Sequence, residues 1–205
     1  MNKRSEKAII AIYNGLFSLL DKENFEKVTV REICRESSVN KMTFYKYHKD
    51  KYDALAKAFL YIFGKDFESE FGKESKYAKG VGDEREIYRA IRYITSWCAK
   101  NKEKIHNIFA TQDGLPYEIV KTAILTNYSS FVKRFIDTEE YDVSYEYVST
   151  YVFSGYIGCL EVYLHKLRAG KDLEEIEKEV DAACRLFAKG WAALIKEKPS
   201  SSLGQ

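Results

Sequence analysis

The chain has 205 residues and a formal net charge of +2, with 45% hydrophobic and 31% charged residues. That length allows one domain or two small ones, with a core large enough to need no disulfide or metal staple. Two prolines and 11 glycines, set among many Leu, Ile, Ala, Lys and Glu, point to an all-α protein. No apolar run approaches the roughly 20 residues that span a bilayer. The basic start MNKRSEKAII is soon followed by polar residues, unlike a signal peptide, so a cytoplasmic location is expected. Cys34, Cys98, Cys159 and Cys184 form no CxxC pair and read as free thiols in apolar helical settings, in a reducing compartment.

The charge becomes informative once divided. Residues 1–51 carry eleven Lys or Arg against seven Asp or Glu, and the other 154 carry 22 against 24. A basic head on a mildly acidic body suits a protein that meets phosphate with one end.

Ser5 is a candidate cap for a first helix, in which Ile9, Ile12, Leu16, Leu19 and Leu20 recur at three- and four-residue steps. Lys3 and Arg4 then fall in an N-terminal arm. The helix is expected to end near 21–24, with Phe25 and Val28 packing the connection. Thr29 followed by Glu32 has capping-box spacing. Ser37-Ser38-Val39-Asn40 interrupts that short helix with turn-forming residues. Asn40 can cap a second helix over Lys41 to about Tyr47, and Asp50 a third from Lys51. Two short helices joined by a tight turn, the second carrying Lys41, Thr43, Tyr45, Lys46 and Tyr47, match a helix-turn-helix.

The third helix continues through Tyr52, Leu55, Phe59 and Phe63 to about Phe71 and links head to body. A loop is expected over 73–83, then helices over about 84–100, from Asn101 through Phe109, over 117–138, over 143–169 and over 172–196. Pro116 suits a first helical turn, and Asp172 with Glu175 a cap. About nine helices and no strand result. The expected domains are residues 1–51, continuing into the linking helix 51–71, and 52–198, with a disordered tail at 199–205.

The stretch TVREICRESSVNKMTFYKYHKDKYDAL resembles the DNA-binding segment of tetracycline-repressor-type (TetR family) regulators. Thr29, Ile33, Val39, Thr43, Phe44, Tyr45 and Lys51 fall in register with that family's pattern. Ser38 stands where Gly is usual, so a positive φ there would be slightly strained. His48 stands where an aromatic core residue is usual. The resemblance implies a recognition helix that buries Phe44 and turns Lys41, Met42 and Thr43 to the major groove. There Lys can donate to guanine, and Thr or Met can touch a thymine methyl. Tyr45, Tyr47 and Lys51 would meet phosphates, Arg31 a base or phosphate, and Asn40, Lys46 and Lys49 would be further contacts. Phosphate contacts set register, and groove contacts carry the sequence information.

The family also implies a homodimer on double-stranded DNA, most simply a repressor released from a palindromic operator by a small-molecule effector. One apolar stripe, Val152, Gly155, Cys159 and Val162, and another, Val180, Cys184, Phe187 and Trp191, suit a four-helix dimer interface, with internal core as the alternative. Tyr93, Trp97, Phe109, Tyr128, Phe131 and Tyr156 are candidate effector contacts, or plain core. A co-activator or protein-interaction module, whose body docks a partner protein, is the alternative. His48, His106 and His165 show no metal-ligand spacing, and no phosphate loop or nucleophile motif occurs. No enzyme, cofactor or membrane role is expected.

Overall fold

A computed structural model of the chain describes residues 3–71, 84–109, 114–132, 144–169 and 171–192. Among them lie nine helices and no strand: α1 (Lys3–Leu19), α2 (Val30–Glu36), α3 (Lys41–Tyr47), α4 (Lys51–Phe71), α5 (Glu84–Lys100), α6 (Lys102–Ile108), α7 (Leu115–Val132), α8 (Tyr145–Arg168) and α9 (Leu173–Ala192). The architecture is all-α, as expected. The expected loop at 73–83, the end of the 117–138 helix, the last turn before 196 and the tail lie outside the described residues.

Two compact units are present, Met1–Gly72 with Cys98–Thr126, and Lys73–Trp97 with Asn127–Gln205. The first unit adds Cys98–Thr126 to the expected head and its linking helix over 1–71. Long-range hydrogen bonds explain part of the difference. The Phe25 N–H donates to Asn107 O at 3.0 Å, and Asn107 Nδ2 donates to Leu20 O at 2.9 Å. Lys104 pairs with Asp21. Together they tie α6 to the α1–α2 connection.

In the first unit α1 packs against α2 and α4 and buries Ile12, Tyr13, Leu16, Phe17 and Leu19. It begins at Lys3, so Lys3 and Arg4 form its first turn and not an arm. Ser5 lies inside the helix and hydrogen-bonds to Tyr47. Gly15 lets α1 approach the end of α2: a Cβ there would lie 3.0 Å from both Cβ and N of Ser37. Phe25 and Val28 are fully buried in the connection, as their apolar character requires.

Local chemistry sets the ends of the short helices. Glu32 N–H donates to the Thr29 hydroxyl at 3.3 Å, while Thr29 N–H donates to the Glu32 carboxylate at 2.8 Å, a complete capping box. At the other end Val39 N–H reaches Cys34 O and Ser38 N–H reaches Arg35 O, the paired bonds of a Schellman motif. That motif needs a left-handed residue, and Ser38 supplies it at φ 54°. Asn40 Oδ1 then accepts from Thr43 N–H at 2.8 Å, and Asp50 Oδ1 accepts from Tyr52 and Asp53 N–H groups, so the caps expected for α2, α3 and α4 form.

The second unit joins α5, α8 and α9 around a polar seam. Arg92 donates to Glu177 at 2.8 Å, and the Tyr163 hydroxyl donates to the other oxygen of that carboxylate at 2.8 Å. Tyr88 donates to Asp181. Thr95, itself buried, donates to Ile91 O and sits 3.0 Å from the Tyr156 hydroxyl. Ile91, Ile176, Val180 and Cys184 fill the space around these groups. Asp172 caps α9 through the Glu175 N–H at 2.9 Å.

The strain at Ser38 is testable. Glycine reaches the left-handed region without the Cβ clash that costs other residues about 1–2 kcal/mol. Ser38→Gly should raise the stability of the first unit by about 0.5–1 kcal/mol, read as a higher midpoint in urea.

Candidate nucleic-acid interface

The α3 helix is only seven residues long, about 10 Å at 1.5 Å per residue, and two such turns are not stable alone. Phe44 fixes its inner face, fully buried with its ring 5.4 Å from that of His48. Its outer face is open. Met42 is 80% exposed and Tyr45 56%, and Lys41 and Lys46 are exposed beside them. Thr43 and Tyr47 are half-buried, with the Lys46 ammonium over the Tyr47 ring at 5.4 Å. Arg31 on α2 and Lys49 after α3 are also exposed. Asn40 uses its carbonyl oxygen as the α3 cap, which leaves its NH₂ as the donor for any contact.

Lys51 departs from the expected role. Its ammonium donates to the carbonyls of Phe25 (3.1 Å), Glu26 (2.9 Å) and Val28 (3.0 Å), and the side chain is only 17% exposed. The same ammonium lies 4.8 Å from the Phe25 ring centroid. All three donors of a lysine are thereby taken. Lys51 is a staple between α4 and the α1–α2 connection. Sequence register could not show this, because the partners lie 23 to 26 residues away.

His48 occupies the aromatic position by behaving as an aromatic. It is 2% exposed, with its ring near those of Tyr13 and Phe44. Nδ1 lies 3.3 Å from Asp53 Oδ2, and buried Nε2 has no hydrogen-bond partner. The neutral ring with its proton on Nδ1 satisfies this geometry, because a proton on Nε2 would have no acceptor. Burial lowers the His48 pKa from the ordinary 6.5, outweighing the opposing pull of Asp53. Burial would raise the Asp53 carboxyl, but Lys57, the Lys49 N–H and His48 together bring it below the usual range.

In the second unit, Ile91, Thr95, Tyr156, Cys159, Tyr163, Ala183 and Phe187 belong to the lining of a cleft of about 20 Å³. Of the candidate effector residues whose side chains are described, only Tyr156 lines it. Trp97 is buried, Tyr93 is half-buried, and Phe109 packs edge-on against Tyr117 in the first unit. The side chains of Tyr128 and Phe131 lie outside the described residues.

The two candidate dimer stripes fare differently. Gly155, Cys159 and Val162 are exposed. Val180 and Cys184 are buried in the core of their own unit, and Phe187 packs on Tyr156 with centroids 5.7 Å apart. That face of α9 is internal. The side chains of Val152 and Trp191 are outside the described residues. Sequence reading missed Tyr147 and Leu186, each 75% exposed. On α8 the available signal was Tyr147, Tyr151, Gly158 and Val162, spaced to share one face.

No family model matches the chain, and no curated protein matches it in sequence. Solved structures do match. A TetR-family transcriptional regulator structure from Mesorhizobium loti MAFF303099 aligns over 96% of this chain and 100% of its own, with TM-score 0.57 and 13% identity. Another from Shewanella sp. PV-4 aligns over 93% and 99%, with TM-score 0.53 and 16% identity. This is the TetR-type fold. The dihydroxyacetone kinase operon activator DhaS shares it, with TM-score 0.52 over 92% of this chain and 98% of its own, at 13% identity. Identities this low establish the shared TetR-type architecture alone.

The His48 proton gives a pH signature within the TetR-type head. A histidine held neutral by burial contributes stability that is complete above its unfolded pKa near 6.5 and is lost as pH falls through the lower folded value. His48→Phe should remove that loss, so that urea midpoints below pH 6.5 fall less steeply than for the unaltered chain.

Proposed function

We propose that the chain is a sequence-specific, DNA-binding transcription regulator that grips double-stranded DNA as a homodimer. The observation that carries this reading is the exposed face of α3, where Lys41, Met42, Tyr45 and Lys46 stand clear of the protein while Phe44 anchors the opposite side. A helix of this size fits a major groove about 12 Å wide. Lys41, Met42 and Thr43 form the reading edge. Tyr45, Tyr47, Lys46, Arg31 and Asn40 form the phosphate-facing set.

One α3 reads too few base pairs for useful specificity, so two copies are needed, with half-sites about 34–36 Å apart. The exposed α8 face supports the pairing. Tyr147, Tyr151 and Val162 lie open there, and Gly158 has nothing within 4 Å of where a Cβ would sit. Leu186 adds an open apolar side chain on α9. The proposed interface thus uses the outer α8 stripe with Leu186, leaving Val180 and Cys184 inside the protomer.

Repression is the simplest mode, because it needs only occupancy of an operator, and an effector weakens it by preferring the protomer whose heads are misplaced. The hydroxyl-lined cleft at Thr95 and Tyr156 is the candidate effector site. At about 20 Å³ it must widen to take more than a water-sized guest. The alternative, a co-activator or interaction module, is favoured by the open tyrosines of α8, which form a docking surface as readily for a partner protein. An activator, DhaS, shares this fold.

Selection of bound sequences from a random duplex pool tests the reading, and a palindrome is the expected product. Lys41→Ala should relax preference at one position per half-site, whereas Tyr45→Phe should weaken all sequences about equally. Lys51→Met should leave the preferred sequence unchanged while lowering head stability by about 2 kcal/mol or more. An unselective pool would overturn the regulator assignment.

The pairing has its own test. A Cβ at Gly158 meets nothing within 4 Å, so Gly158→Arg should keep the fold and yield a monomer by sedimentation, with loss of tight operator binding. A variant that remains dimeric would move the interface elsewhere.

A further inference from the structure

Four cysteines are present, and three of them, Cys34, Cys98 and Cys184, are buried. Burial pushes the Cys34 thiol up and the Cys98 thiol up to about 12, and neither lines the cleft in the second unit. Cys159 differs, because it is exposed and shares the lining of one small cleft with Cys184.

The α8–α9 pairing puts these two thiols level. Tyr156 on α8 meets Phe187 on α9 edge-on, and farther along Tyr163 donates to Glu177 and Lys166 pairs with Glu179. The helices therefore run antiparallel, and three residues on from the Tyr156–Phe187 contact, in opposite chain directions, come Cys159 and Cys184. With axes about 8–10 Å apart and Cα atoms about 2.3 Å from each axis, directly facing Cα atoms come to about 3–5 Å, overlapping the separation a disulfide spans. A hydroxyl also serves the inner sulfur, with Thr95 Oγ1 3.9 Å from Cys184 Sγ.

We propose that Cys159 and Cys184 form a two-thiol redox site, which a hydroperoxide converts to a disulfide between α8 and α9 of one protomer. The exposed Cys159 thiolate attacks the peroxide oxygen, the O–O bond breaks, and the alcohol or water leaves with the proton, giving a sulfenic acid. Cys184 then loses its proton and attacks that sulfur. The S–S bond forms, and the sulfenic oxygen departs as water. The two thiols are oxidised by two electrons and the peroxide is reduced by two. Burial pushes the Cys184 thiol up, against the pull of Thr95 and the Arg92 guanidinium, so the second step quickens as pH rises. The site lies on the helices assigned above to dimerisation. A regulatory readout rests on that reading, whereas the covalent chemistry does not.

The test treats reduced full-length protein with stoichiometric hydrogen peroxide, then maps peptides by mass spectrometry without reductant. The expected product joins the Cys159 peptide to the Cys184 peptide, migrates as a single chain on a non-reducing gel and reverts with dithiothreitol. Its formation rate rises with pH above neutrality. Cys159→Ser, an exposed position that should leave the fold intact by circular dichroism, should abolish the link and leave Cys184 reduced. A Cys159–Cys159 link between copies, a Cys159 sulfinic acid with Cys184 still a thiol, or two unreacted thiols would each overturn the proposal. Because no DNA is used, its outcome is separate from that of the operator selection.

Discussion

The putting-in-place of α3 is the constraint on which the rest of the first unit depends. Seven residues make too few internal hydrogen bonds to offset the ordering of their backbone. Position must come from outside: the Asn40 cap at one end, the Phe44 ring below, and His48 closing the other end with its N–H on Phe44 O. Each of these contacts leaves the outward face bare. A helix secured only from beneath and at its ends can present four exposed side chains without moving, which is what reading a groove requires.

The second unit solves a different problem. Its helices α5, α8 and α9 meet across carboxylates, a guanidinium and phenols, each partnered. Burial would raise the Glu177 carboxyl, yet Arg92 and Tyr163 hold it below the usual range. Removing one partner would leave the other desolvated, so the seam fixes which faces of α8 and α9 can pair. That fixes the open faces as well. Tyr147, Tyr151 and Val162 remain outside because Tyr156 and Tyr163 are held inside.

How far the sequence was legible follows from the reach of each interaction. The caps at Thr29, Asn40 and Asp50 join groups two or three residues apart, and all three could be read directly. The inward turn of Phe44 and the positive φ of Ser38 were legible because the helix-turn-helix pattern leaves them no alternative. The fold-back of Lys51 was not legible, since a basic residue beside a recognition helix looks the same whether its ammonium faces phosphate or folds back onto carbonyls. The attachment of α6 rests on bonds spanning more than 80 residues, beyond any periodicity. Val180 and Cys184 were placed on an apolar stripe correctly, but a stripe does not say whether it faces its own chain or another.

The Lys51 staple carries a mechanical consequence. Its three carbonyl partners belong to the segment between α1 and α2, while its own backbone starts α4. A hinge cannot form easily where a single ammonium closes three loops at once. Bending α4 at its root would break those bonds together, so small displacements of that helix should carry the α1–α2 corner along as one stiff lever, with little slack between push and tilt.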